Sequence, residues 1–456
     1  MRRLIGLALG FYFRRIERFH AGRVPRTGPV LFTSNHPNSL TDSFVIGASV
    51  PRKVNFVATI QLFRVKPLKW LLSRCGVIPI NRVRDDPRAM RSVTDTFEAC
   101  FRVLEAGEAV GIFPEGITYD DSRLKPVKSG AARMALELEH RHEGRLGLLI
   151  VPVGLTLSAK EVYRSDVLVN FGEPIRVAEF LKGYAEHRKE CINRLTAEIE
   201  HRIQSLILHI PALEQTRVVE GVKRLYLDRL LLAGRVVHEP VSPRAEELLL
   251  TQRIAAAVEH VYRAQPERAA AFAARFDAYE RWLRRLKLSD ADLALFPRRD
   301  KLVGQSLLWA AMAVLGAPIA LYGWVHRCLP YALVKYAVKK SPQPDKRKAQ
   351  ASTVAIAVGI PAFGLFYAAC VLVAQHFFGW RISLWYALSL PPASLLAHYY
   401  LRELRKFIAA VRSVSLLFRV PLAARRLLAR RSRLVREIES VHAEMQSATA
   451  ATPSRP

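Results

Sequence analysis

Between residues 28 and 178 the chain alternates short apolar runs with stretches of helical period. GPVLFTSN, KVNFVAT, GVIPINR, AVGIFPEG, LGLLIVPVGLTL and DVLVNFGEPI read as strands. Residues 87–106 and 129–142 lie between them and read as helices. This alternation predicts an α/β domain over 21–180, with a mixed, mostly buried sheet flanked by helices. Residues 181–300 are helical, charged and alanine-rich, broken at IPAL and HEPVSP. Residues 401–446 form an arginine-rich helical tail expected to lie on anionic headgroups, or else to be a solvated or partner-binding helix. SATAATPSRP, residues 447–456, is expected to be disordered.

Residues 301–400 are strongly apolar. A bilayer span takes about 20 apolar residues. The run 302–338 exceeds one span but falls short of two, with GAP at 316–318 as a natural break. The run 351–400 is interrupted by GWR at 379–381. The approach FPRRDK, the link KKSPQPDKRKAQ and the exit YLRELRKF are all basic. Positive charge favours the cytoplasmic side, and two membrane hairpins put all three there, the first shallow or re-entrant. A buried helical core in a soluble domain is the alternative. At the front, MRRLIGLALGFYFRRIERF has Arg14, Arg15 and Arg18 where a signal peptide would be cleaved. Residues 1–20 read as an amphipathic helix on the membrane, or as an ordinary packing helix.

The formal net charge is +29 while half the residues are hydrophobic, which points to anionic membrane lipids. Nucleic acid would account for the charge but not for the apolar runs. Cys75, Cys100, Cys191, Cys328 and Cys370 are scattered without a CxxC, so reduced thiols in a cytosol-facing protein are expected, with no metal site; no cofactor is expected either.

Candidate chemistry begins in SNHPNSLTDSF. His36 and Asp42 are six positions apart, about 240° around one continuous helix, so on one helix they would diverge. They can meet if His36 leaves a strand on a turn and Asp42 sits on the helix that follows. A carboxylate on one ring nitrogen would then make the other a general base for a hydroxyl. An Asn-His-Pro turn with a capping aspartate is the plainer reading. Phe113, Pro114, Glu115 and Gly116 end an apolar strand, where ligands of α/β sheets bind. There Glu115 can accept hydrogen bonds from substrate hydroxyls, or the four residues form a tight turn. Arg82 ends GVIPINR and can hold a phosphate with its planar fork, and Lys128 precedes a helix start suited to an anion. Either can equally be a solvated surface cation. Pro152 and Gly154 shape a buried strand.

In this order the stretches resemble the glycerophospholipid acyltransferases, which include the glycerol-3-phosphate and lysophosphatidate acyltransferases. NHPNSLTD, GVIPINR, FPEG and VPVG match that family's four blocks in sequence, over roughly residues 10 to 180. The spacer between His36 and Asp42 has five residues where four are usual. That resembles the branch with the fungal glycerol-3-phosphate/dihydroxyacetone-phosphate acyltransferases and their bacterial relatives. The resemblance implies a membrane-bound O-acyltransferase of phospholipid synthesis, using acyl-CoA or acyl-ACP and a phosphorylated glycerol acceptor. Its implied roles make His36 the general base and Asp42 its orienting partner. Arg82 and Lys128 would hold the phosphate, and Phe113, Pro114, Glu115 and Gly116 the glycerol moiety. The catalytic domain is expected on the cytoplasmic face of an integral membrane protein. Rival readings are an acyltransferase for another lysolipid, such as an ornithine lipid, and a non-catalytic lipid-binding scaffold.

Overall fold

The computed structural model describes residues 2–64, 66–80, 90–117, 123–210, 212–232, 242–295, 299–340, 347–419 and 421–451. They divide into two compact units. One comprises 1–211, 237–248 and 337–357, the other 212–236, 249–336 and 358–456.

The first unit is built on eight strands. These are β1 (Arg15–Phe19), β2 (Val30–Ser34), β3 (Val54–Thr59), β4 (Ile78–Ile80), β5 (Ala109–Ile112), β6 (Leu149–Leu157), β7 (Asp166–Phe171) and β8 (Ile175–Arg176). Their order is β1-β7-β6-β2-β5-β3-β4, with β8 beside β6. β2 runs parallel to β5 and β6, and β6 runs antiparallel to β7 and β8. The sheet is therefore mixed. Helices flank it: α1 (Arg2–Tyr12), α2 (Leu40–Ser49), α3 (Lys66–Arg74), α4 (Met90–Glu105), α5 (Gly130–Arg141) and α6 (Arg188–Leu206). The predicted helices 87–106 and 129–142 are α4 and α5.

Strand alternation divides the core in two. Val30 and Phe32 of β2 join Val45 and Ile46 of α2 and Leu9 of α1 on one face. Leu31 joins Phe101 and Leu104 of α4, Met134 and Leu136 of α5 and Ile199 of α6 on the other. β2 is thus buried on both faces, which is why its sequence reads as one apolar run. α1 packs through Leu9 and Tyr12 but presents Leu4, Leu7 and Phe11 outward. In β6, a Cβ on Gly154 would fall 2.5 Å from the Leu206 carbonyl oxygen, so glycine lets the end of α6 lie against the strand.

One ion cluster ties the edge of this unit. Asp166, at the start of β7, is nearly buried and accepts from Arg14 Nε at 2.8 Å and from Arg244 Nη2 at 2.7 Å. The Arg14 hydrogen bond, with help from Arg244, holds its carboxyl down at about 2. A carboxylate depressed in the folded state stabilises fully above its unfolded pKa of about 3.9 and loses that contribution as pH falls through its folded value. Between about pH 4 and pH 2 the wild type therefore loses a contribution of about 1–2 kcal/mol, reduced by the solvent exposure of the arginines. Asp166→Asn lacks that contribution at pH 7. Chemical denaturation at several pH values should show the two proteins converging as pH approaches 2.

The second unit is helical: α7 (Leu213–Leu232), α8 (Pro243–Ala264) from residue 249 on, α9 (Pro266–Leu286), α10 (Asp290–Leu295), α11 (Arg299–Lys339) as far as residue 336, α12 (Arg347–Arg419) from residue 358 on and α13 (Pro421–Ala451). α7, α8, α9 and α13 enclose an apolar cavity of about 1020 Å³, lined among others by Val222, Tyr226, Ile254, Phe272, Ile438 and Val441. The expectation for the basic tail meets a different packing here. Ala424, Leu427, Leu434 and Val435 of α13 are buried, and Arg431 pairs with both oxygens of Asp290 at 3.0–3.2 Å. The arginines hid an apolar stripe, which makes the tail a wall of a bundle. α13 also continues to Ala451, into the segment expected to be disordered, and residues 452–456 lie outside the described ones.

Among the described residues, two stretches are long and apolar enough to cross a bilayer, Ala310–Lys339 and Gln350–Ala409. Leu315, Leu365 and Trp385 are more than 70% exposed on them, an arrangement suited to lipid and not to water. The chain is an integral membrane protein with two long apolar helices. The break expected at 316–318 does not occur, since α11 runs through Pro318. In an apolar helix a proline costs a hydrogen bond without ending the element. The break expected at 379–381 does occur: Gly379 has φ 77° and ψ 171° inside α12. Beyond it, Tyr386 and Ser389 reach back to His326 and Tyr322 at 2.7 Å, so this arm packs antiparallel to α11. Phe377, Phe378, Trp380 and Trp385 surround the turn, an aromatic group typical of a membrane interface.

Candidate active site

β2 and β5 are neighbours in register, with Thr33 opposite Ile112, so the turns leaving them emerge side by side. His36 leaves β2 and Glu115 leaves β5. Asn35 fixes the first turn from behind: its carboxamide donates to the Leu155 carbonyl at 3.0 Å and accepts the Leu155 N–H at 2.7 Å. The chain then turns through Ser39 at φ 55° and enters α2, whose first turn carries Asp42. This reversal lets a five-residue spacer close the pair. His36 Nδ1 lies 2.9 Å from Asp42 Oδ2, so the strand-turn-helix arrangement holds and the two residues touch.

Asp42 is 1% exposed, and its Oδ2 also accepts the Asn38 N–H at 2.7 Å. Burial pushes its carboxyl above the ordinary value, against the pull of the His36 hydrogen bond and charge, the Asn38 amide and the Lys160 charge. When Asp42 is ionised it can only accept, so in the neutral ring the proton then sits on Nδ1 and the free lone pair on Nε2. The ring is clamped in plane. Phe113 stacks on it with centroids 4.0 Å apart and planes inclined by 13°.

Glu115, read from the sequence as an acceptor for substrate hydroxyls or part of a tight turn, is turned to the main chain. It is 4% exposed, and both oxygens are engaged by main chain. Oε1 accepts the His36 N–H at 2.8 Å and Oε2 the Lys125 N–H at 3.0 Å. Burial raises its pKa while those two bonds oppose the rise. Gly116 has φ 71°, a conformation that favours glycine, and the Lys128 ammonium lies 2.7 Å from where a Cβ would stand. Lys128 is thus brought to the turn that follows β5. Arg82 lies outside the described residues. Sequence reasoning missed Lys160, a cation close enough to act on Asp42. No motif marks it, since it simply follows the end of β6. Cys100 is buried, and burial pushes its thiol up to about 12, which removes it as a nucleophile.

Residues 16–156, less than a third of the chain, match the family described as Acyltransferase, and this segment contains His36, Asp42, Phe113, Glu115, Gly116 and Lys128. Over this part the chain is similar to glycerophospholipid acyltransferases. It is 31% identical over 134 residues to glycerol-3-phosphate O-acyltransferase 2 of Saccharomyces cerevisiae, covering 29% of this chain and 18% of that one. It is 30% identical over 146 residues to the chloroplastic 1-acyl-sn-glycerol-3-phosphate acyltransferase BAT2 of Brassica napus, covering 32% and 38%. It is 26% identical over 237 residues to the lyso-ornithine lipid O-acyltransferase of Brucella abortus, covering 45% and 79%. The chain spans less than half the length of the first curated relatives it matches.

Proposed function

We propose that the protein transfers a fatty acyl group from acyl-CoA or acyl-ACP to a hydroxyl of glycerol 3-phosphate or 1-acylglycerol 3-phosphate at a membrane. The observation that carries this reading is the His36–Asp42 contact at 2.9 Å, with the ring held flat by Phe113. Nε2 takes the proton of the acceptor hydroxyl as its oxygen attacks the thioester carbonyl. The tetrahedral intermediate collapses, the C–S bond breaks and the thiolate leaves, taking the proton back from His36. The products are an ester and a free thiol, with no acyl-enzyme. Asp42 holds the reactive tautomer. Glu115 anchors the backbone of His36, and with Phe113, Pro114 and Gly116 it shapes the seat of the glycerol moiety. Lys128 at the Gly116 turn and Arg82 hold the phosphate. The active site faces the cytoplasm, where the thioester donors are made, and the apolar helices let a lipid product leave into the bilayer.

The match over most of the Brucella enzyme keeps a second acceptor class in view, a lyso-ornithine lipid. Mass spectrometry decides between them. The full chain in detergent is given acyl-CoA with glycerol 3-phosphate, 1-acylglycerol 3-phosphate or lyso-ornithine lipid in turn. Acylation of a glycerol phosphate is expected. Acylation of lyso-ornithine lipid alone would move the protein to the other class, and thiol release with none would leave a scaffold.

A further inference from the structure

The first turn of α2 carries Asp42, yet its own neighbours do little to hold it. Ser39, at the N-cap, makes no side-chain capping bond. Asn38 is fully buried, and neither end of its carboxamide has a hydrogen-bond partner among the described residues. A helix start leaves its first N–H groups without intrahelical acceptors. Here one of them is answered from far along the chain. Thr353 Oγ1 lies 3.3 Å from the Thr41 N–H and 2.8 Å from the Thr41 hydroxyl, across 312 residues. Ser352 Oγ donates to Thr41 Oγ1 at 3.0 Å. Ser352 donates to Thr41, the Thr41 amide donates to Thr353, and between the Thr41 and Thr353 hydroxyls either can be the donor. Ser352 is fully buried and Thr41 nearly so. One turn on, Ala355 and Ile356 pack on the core layer that holds Val45 and Ile46 of α2. Residues 337–357 belong to the same compact unit as α2.

We propose that Ser352 and Thr353 are positioning residues for the His36–Asp42 pair. They cap the catalytic helix in place of Ser39, so the geometry of the pair depends on the opening turns of α12, which continue in sequence into the apolar stretch. This rests on the acyl-transfer reading for its kinetic consequence but not for its structural one. A hydroxyl cap contributes enough that its loss, passed to the dyad, lowers kcat by roughly 3- to 30-fold.

The test compares Thr353→Val, which keeps the shape and removes the acceptor, with Ser352→Ala and with Thr353→Ser, all in the full chain. In Thr353→Val, kcat should fall by roughly 3- to 30-fold while both KM values stay within about twofold, and Thr353→Ser should restore most of the rate. Ser352→Ala should show a smaller loss of the same kind. Hydrogen–deuterium exchange over residues 36–46 should quicken in Thr353→Val and not in Thr353→Ser. That second readout needs no turnover, so it decides the cap even if the acyl-transfer reading fails. Unchanged exchange in Thr353→Val overturns the cap. Faster exchange with unchanged kcat overturns the positioning role.

Discussion

His36→Ala is expected to lower the acyl-transfer rate on the order of 10²–10⁴-fold, the range for removing a general base. Among the described residues the side chain makes a single polar contact, to Asp42 Oδ2, and one stacking contact, to Phe113. Its backbone N–H bond to Glu115 survives the substitution. The fold and membrane attachment should therefore persist, and a thermal scan in detergent should place the variant within a few degrees of wild type. A variant that keeps near-normal turnover would make the Asn-His-Pro segment only a polar turn.

Glu115→Gln is the second large effect, and it acts through the main chain. Both oxygens of this buried carboxylate accept main-chain N–H groups, from His36 at 2.8 Å and from Lys125 at 3.0 Å. A glutamine of the same shape turns one acceptor into an NH₂ group that faces a donor. One buried amide is then left unpaired, at a cost of about 1–3 kcal/mol. The turn carrying His36 shifts, and a displacement of about 1 Å can cost roughly 10²-fold in rate. The expected signature is a fall in kcat on that order together with a lower denaturation midpoint. A contact to substrate alone would instead raise the acceptor's KM and leave stability unchanged.

The strands were legible because their runs are buried on both faces, as β2 shows with Val30 and Phe32 on one side and Leu31 on the other. The dyad was legible as a possibility, since Pro37 and the NSLTD stretch suit a turn into a helix. What stayed hidden were pairings with backbone groups far along the chain. Glu115 and the His36 amide are 79 residues apart, and Asn35 and Leu155 are 120 apart. No local pattern encodes such a bond, so the sequence reading of Glu115 extends only to substrate hydroxyls or a tight turn. The arginine-rich tail misled for a related reason. Its charges dominate the composition, while Leu427, Leu434 and Val435 at helical spacing bury its other side. At 316–318 the turn chemistry of Gly and Pro was outweighed by the apolar helix around it.

The most direct test of the account is the rate of thiol release from acyl-CoA by the purified full chain in lipid, measured with and without acceptor, beside His36→Ala. The account predicts release that requires glycerol 3-phosphate or 1-acylglycerol 3-phosphate, and a rate at least about 10²-fold lower in the variant. Equal rates in the two proteins, or no acceptor-dependent release by the wild type, would contradict it.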